Sequence, residues 1–347
     1  MRQEALQAPE AVALQLEHDA NAYRELGALL RLQPPSAVLT VARGSSDHAA
    51  HYLAYLIMAR MGRLVTSLPM SLVTLYQSQI PCAGLLSLAF SQSGQSPDLV
   101  APTEFFRAGG ALTAAFVNDA NSPLAQAARY VFPLHAGAER SVAATKSFIA
   151  QMVAGARLVA AWRDETATNA TAASAHAAFQ DGIANLPQAL ALAALADWSP
   201  AIDTLKHVDK LLVIGRGLGL PVAMEAALKF KETCGIQAEA FSGAEVKHGP
   251  MALVEEGYPM LVFAPPGPAQ AGLLALAQDM RRRGANVLLA APPGTPDAQL
   301  HLSPSPSVDL APICMVQSFY PMVEALARAR GLNPDSPRHL AKVTRTR

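Results

Sequence analysis

Cysteine is scarce in this chain: Cys82, Cys234 and Cys314 are the only three, scattered and each in apolar surroundings. Such thiols read as reduced core residues. With no CxxC and no clustered His/Cys/Asp set, neither a disulfide framework nor a metal site is expected, and no cofactor is implied. Charge is thin as well. Charged residues make up 16%, and 27 basic side chains face 27 acidic ones, so the formal net charge is zero. Without a basic run or aromatic–basic interleaving, a nucleic-acid surface is excluded. Unbroken apolar runs of bilayer length are also lacking, and the N-terminal MRQEALQAPEAVALQLEHD carries acidic residues in place of a signal-peptide core. The expectation is a soluble, cytoplasmic protein with neither nucleic-acid nor membrane partners.

What the chain does have is length and apolar content. Its 347 residues, 51% of them hydrophobic, exceed one ordinary domain and predict two units of similar size. The stretch AFSQSGQSPD (89–98) is the first local signal. It follows the apolar run 85–90, which reads as a buried parallel strand. A helix is predicted next, with Ser96 as N-cap, Pro97 at the first helical position and an end near Gly109-Gly110. A hydroxyl-rich loop between a strand's carboxyl end and a helix's amino end is where α/β sheets bind anions, and a phosphate would fit. Serines in such loops also serve simply as turn and cap residues.

The chain then repeats itself. AVLTVA (37–42), the loop RGSSD and a helix HAAHYLAYLIMARMG are echoed by LLVI (211–214), the loop GRGLG and LPVAMEAALKFKETCG. Gly44 and Gly94 are 50 residues apart, as are Gly217 and Gly267, and the two copies are offset by 173. Strands at 111–117 and 285–291 follow in the same order. Two βαβ-rich halves of α/β class are expected, joined by alanine-rich helices between about 142 and 197. Where the first half has Ser91-Gln92-Ser93-Gly94, the second has Ala264-Pro265-Pro266-Gly267. Proline removes donors, so a single anion site is expected per chain, in the first half. The expected organisation is an N-terminal helical segment (1–36), a first sheet domain (37–165), a helical connector (166–200), a second sheet domain (201–335) and a C-terminal tail (336–347).

VARGSSD, LAFSQSGQSPD, SVAATKSF, AMEAALKFKE, AEVKHGPMALV and PRHLAKVT, in this order, resemble the sugar isomerase (SIS) family. The likeness is to the isomerase half of glucosamine-6-phosphate synthases and to stand-alone aminosugar-phosphate deaminases. It implies two tandem SIS domains, each a doubly wound five-stranded parallel sheet flanked by helices, in a homodimer with shared active sites. It implies a phosphate pocket of Ser45, Ser46, Ser91, Gln92, Ser93 and Ser96, with further sugar contacts at Val142 and Ala341. Departures are small: Ala144 stands where the family often has serine, Gln95 where it has glutamate, and Ser45 and Ser96 where it has threonine.

Glu225, Lys229 and Glu232 are spaced i, i+4, i+7 and so share a helix face, which alone reads as a solvated ion-pair ladder. Because the helix follows GRGLG, its first turns are expected to face the ligand cleft. The resemblance implies that Glu232 moves a proton between sugar C1 and C2. It also implies that His248 in EVKHGP, by itself an ordinary turn histidine, opens the sugar ring from the neighbouring subunit. Lys342, by itself a tail lysine, matches a lysine that forms a Schiff base in the synthases. Those synthases begin with a glutaminase domain. Here the first cysteine is Cys82, so glutamine-dependent synthesis is not expected of these residues. The expected activity is isomerase-type deamination of glucosamine 6-phosphate to fructose 6-phosphate and ammonia. The alternatives are action on galactosamine 6-phosphate or a fructosamine phosphate, or a non-catalytic sugar-phosphate sensor. Such a sensor usually carries a basic helix-turn-helix, whereas residues 1–36 hold only Arg2, Arg24 and Arg31.

Overall fold

Short apolar runs closed by glycine and serine turns become parallel strands here, because helical crossovers bury both faces of each sheet. A computed structural model describes residues 1–163 and 170–342. The expected boundary near 165 and tail residues 343–347 lie outside the described residues. Two compact units are formed, each from three stretches of chain: Glu10–Glu139, Lys146–Ala184 and the residues from Ala341 in one, and Met1–Pro9, Arg140–Thr145 and Asn185–Leu340 in the other.

The first unit holds strands β1 (Ala37–Val41), β2 (Val65–Ser67), β3 (Leu85–Ser91), β4 (Leu112–Val117) and β5 (Tyr130–Pro133). All pair in parallel, in the order β2-β1-β3-β4-β5. Strand order reverses between β1 and β3, so the crevice at their carboxyl ends is the ligand position of such a sheet. One face carries a ladder of rings in register, Phe90 on Phe116 at 4.5 Å and Phe116 on Phe132 at 5.1 Å. The other buries Val41, Ala89 and Val117 against Leu99 and Phe106 of the helix Pro97–Ala108. One expectation is corrected. RGSSD is not all loop, because the helix begins at Gly44 and runs to Met61, placing Ser45 and Ser46 in its first turn. Arg43, extended at φ −137, takes the N-cap position, and its carbonyl accepts from the Asp47 amide.

The second unit holds β6 (Lys210–Gly215), β7 (Gln237–Ser242), β8 (Pro259–Phe263), β9 (Asn286–Ala291) and β10 (Leu300–His301), parallel in the order β10-β9-β8-β6-β7. Its reversal lies between β6 and β8. Leu212, Ile214, Met260, Val262 and Leu289 form one side of its core, with Leu273 and Leu276 of the helix Gln270–Arg282. The helix Ala311–Ala329 is buried along most of its length. With its preceding turn from Val308 it is long and apolar enough to cross a bilayer, contrary to the sequence expectation, but its apolar window is packed inside the protein. The three cysteines are free and buried. Burial pushes the Cys234 thiol up to about 11 and that of Cys314 to about 12.

Candidate functional site

In the first unit, β1 and β3 are neighbours with Val41 opposite Ala89, so the chain segments leaving them start side by side. Ser91 ends β3, and its Oγ accepts from the Gly94 amide at 3.0 Å. Ser93 Oγ accepts from the Gln95 amide at 3.3 Å, and Ser46 Oγ accepts from Gln151 Nε2 at 2.9 Å. A hydroxyl whose oxygen is held by a donor still has its own O–H to give. Ser46, Ser91 and Ser93 therefore each keep a hydroxyl proton to donate. The loop is tied to the next connection by Asn118 N to Gln92 O (3.2 Å) and Leu124 N to Gly94 O (3.1 Å). Gly94 sits at φ +64, and a Cβ there would collide with the Ser122 hydroxyl, so only glycine fits the turn.

Charge at this edge is balanced locally. Arg43 Nε donates to the buried Asp98 Oδ2 at 3.0 Å, joining the segment after β1 to the first turn of the helix after the loop. Most of the Arg43 side chain stays exposed. Ser96 occupies the N-cap position of that helix and Pro97 its first, as the sequence predicts. An anion here would meet serine hydroxyls, two helix amino ends and one guanidinium.

In the second unit, β6 leads through Arg216 and the turn Gly217–Gly219 into the helix Leu220–Lys229, which continues as a π-helical turn over Phe230–Cys234. Such wide turns are uncommon and concentrate at functional positions. Lys229 Nζ lies 3.3 Å from Glu225 Oε1 and 2.5 Å from Glu232 Oε2. Tyr320, buried on the helix Ala311–Ala329, donates its hydroxyl to Glu225 Oε1 at 3.1 Å. Glu225 and Lys229 are fully buried and the Glu232 side chain is 19% exposed, so the solvated-ladder reading fails. Burial alone pulls the Lys229 ammonium down, but Glu225 and then Glu232 outweigh it and hold its pKa above the ordinary lysine value. The lysine stays charged, with one carboxylate reaching solvent.

Glu232 lies beyond the helix's first turns, three turns from its start and roughly 15–18 Å along the axis. Because β6 and β7 are parallel, the helix between them runs back toward the amino edge of the sheet. Its three charged residues are brought together, but not by the carboxyl-edge rule. His248 stands apart on the short helical turn Glu245–His248 after β7, exposed and without a hydrogen-bond partner among the described residues.

Val142 is half-buried, and its amide donates to the Asp335 carbonyl at 3.2 Å. Ala341 is exposed. Lys342 is not a free tail lysine: its Nζ lies 3.1 Å from Oε2 of the buried Glu139, which also accepts from Ser147 Oγ at 2.6 Å. Sequence reading missed Glu139, Gln151, Asp98 and Tyr320. Asp98 ends a quoted motif and Glu139 lies two residues before another, so both could have been suspected. Gln151 and Tyr320 lie on distant helices, and only folding brings them in.

Residues 32–161 and 204–291 match the SIS domain. The glutamine–fructose-6-phosphate aminotransferase (isomerizing) of Zymomonas mobilis is 34% identical over 326 residues, 88% of this chain and 51% of that protein. The chain spans about half the length of the curated relatives it matches. A crystal structure of a candidate phosphosugar isomerase from Silicibacter pomeroyi DSS-3 is 42% identical, with a TM-score of 0.87 over 96% of this chain and 99% of that one. The C-terminal domain of the Francisella tularensis glucosamine-fructose-6-phosphate aminotransferase shares the fold, with a TM-score of 0.82 at 24% identity, over 96% and 97% of the two chains. Two sheets, two matched segments and one repeated design agree. The chain belongs to the SIS domain family.

Proposed function

We propose that this protein is a sugar-phosphate isomerase-type enzyme whose reaction is the deamination of glucosamine 6-phosphate to fructose 6-phosphate and ammonia. The observation that carries this reading is the buried Glu225–Lys229–Glu232 cluster with a single carboxylate reaching solvent. A base that shuttles one proton between adjacent carbons needs that kind of fixed, partly desolvated carboxylate. The relatives named as isomerizing aminotransferases and the candidate phosphosugar isomerase support the substrate class.

In this reading Ser45, Ser46, Ser91, Gln92, Ser93 and Ser96 hold the phosphate, and Val142 and Ala341 contact the sugar through their backbone. His248, supplied by the second protomer of a homodimer, moves the ring-opening proton between O5 and O1. Glu232 then takes the proton from C2, whose bonding electrons form the C1–C2 double bond of an enolamine as the carbonyl electrons move to O1 and O1 takes up a proton. Glu232 returns its proton to C1 as the nitrogen lone pair forms the C2–N double bond. That leaves an imine at C2. Water adds to the imine carbon, the C–N bond breaks, and ammonia departs with fructose 6-phosphate as product. Lys229 stays protonated and fixes the Glu232 carboxylate, while Glu225 and Tyr320 fix Lys229. Lys342 is engaged by Glu139, so a covalent role would require that pair to open. The enzyme is read as cytoplasmic and as needing no cofactor.

The test is ammonia release from glucosamine 6-phosphate, galactosamine 6-phosphate and fructosamine 6-phosphate. Turnover with glucosamine 6-phosphate should exceed the others by at least tenfold. Equal or greater release from another member moves the substrate assignment to it, and no release from any of them overturns the enzyme reading.

A further inference from the structure

Two of the arginines in the N-terminal segment, left without a role above, line a cavity of about 670 Å³ in the first unit. Arg24 and Arg31 lie seven residues apart on the helix Ala20–Leu32, hence on one face. Arg157 faces the same cavity from the helix Lys146–Trp162, and the floor is apolar, with Ala160, Ala161 and Ile183. The walls are set closely: Gly27 has no room for a side chain, because a Cβ would run into the Ala161 carbonyl.

The charges are the unusual part. Arg157 is buried, lies 4.2 Å over the Tyr23 ring, and donates to the carbonyls of Gln15 (2.5 Å) and His18 (2.6 Å). Arg31 donates to the carbonyls of Ala161 and Trp162, and Arg24 to the Asn21 side chain. Every one of these partners is neutral. Among the described residues no carboxylate lies within ion-pair distance of Arg24, Arg31 or Arg157, whereas Arg43, Arg281, Arg282, Arg283, Arg328 and Arg330 each have an acidic partner. Three guanidiniums held in place by carbonyls, each with N–H groups to spare, present forks suited to a phosphate or carboxylate. The cavity volume is that of an ordinary small-molecule site.

We propose that this cavity binds a small organic anion, its phosphate or carboxylate head on Arg24, Arg31 and Arg157 and its apolar body on the alanine floor. The site is separate from the serine loop and does not depend on the reaction proposed above. The probe is 1-anilinonaphthalene-8-sulfonate, an anionic head on an apolar body, with uncharged N-phenyl-1-naphthylamine as control. Binding of both is followed by fluorescence for the parent chain, R24Q and R24Q/R31Q, with circular dichroism to confirm folding. The sulfonate should bind the parent and weaken at least tenfold in R24Q/R31Q and less in R24Q, while the neutral dye is unaffected. Pyrophosphate and citrate, titrated as competitors, tell a phosphate head from a carboxylate head by which displaces the sulfonate at lower concentration. No binding to the parent, unchanged binding in folded R24Q/R31Q, or displacement by neither competitor would overturn the proposal.

Discussion

The two halves of the chain differ most at positions that the repeat makes equivalent. After β3 the loop offers serine oxygens held by backbone donors, so their hydroxyls are free to give; after β8 the same place reads Ala264-Pro265-Pro266-Gly267. The helices after β1 and β6 differ in the opposite sense. Shifted by the 173-residue offset, Glu225 and Lys229 correspond to Tyr52 and Leu56, all four fully buried. One scaffold thus accepts at the same depth either an uncharged pair or an ion pair. Since a buried ion pair is a weak source of stability, its presence in one copy alone argues that it is kept for chemistry.

The largest effect expected from breaking this comparison is at Lys229. Lys229→Leu alone leaves Glu225 buried without its cation and should cost about 3–5 kcal/mol in urea unfolding. Lys229→Leu combined with Glu225→Met copies the uncharged character of the first half. It should recover that loss, or exceed parent stability by about 1–4 kcal/mol, while turnover stays abolished. A double variant as unstable as the single one would show that the pair serves the fold.

The serine loop comes next. Ser91→Ala with Ser93→Ala removes two donors to a charged acceptor, at about 1.5–3 kcal/mol each. Calorimetry should show affinity for glucosamine 6-phosphate falling far more than affinity for glucosamine. Equal losses would remove this loop from the phosphate site. Smallest of all is the effect expected in the second half: Pro265→Ser with Pro266→Ser should leave phosphate affinity unchanged, and a substantial loss would mean that the loop after β8 also contacts the ligand.

Much of this was legible in the sequence because it is local. The strands at 37, 85, 112 and 286, the Ser96–Pro97 helix start and the single serine loop follow from apolar runs, turn residues and capping chemistry. The helix start at Gly44 was misplaced, because GSSD is turn-like in composition while the chain places it in a first turn. Burial of the charged triad was missed for a different reason. Spacing puts residues on one face, but whether that face meets water depends on what packs against it, here Tyr320 from a helix nearly a hundred residues away. The π-helical turn that carries Glu232 leaves no mark in periodicity, and Lys342 finding Glu139 is a long-range pairing no local pattern encodes.

The central claim is that Glu232 moves the C2 proton. Glu232→Gln keeps its shape and much of its hydrogen bonding but removes the basic lone pair, so turnover should fall by about 100-fold or more. The direct measurement uses substrate deuterated at C2 and follows the label by NMR. The parent enzyme should wash deuterium into solvent or pass it to C1, and the folded Glu232→Gln variant should do neither. A variant that exchanged the C2 hydrogen at the parent rate would contradict the mechanism.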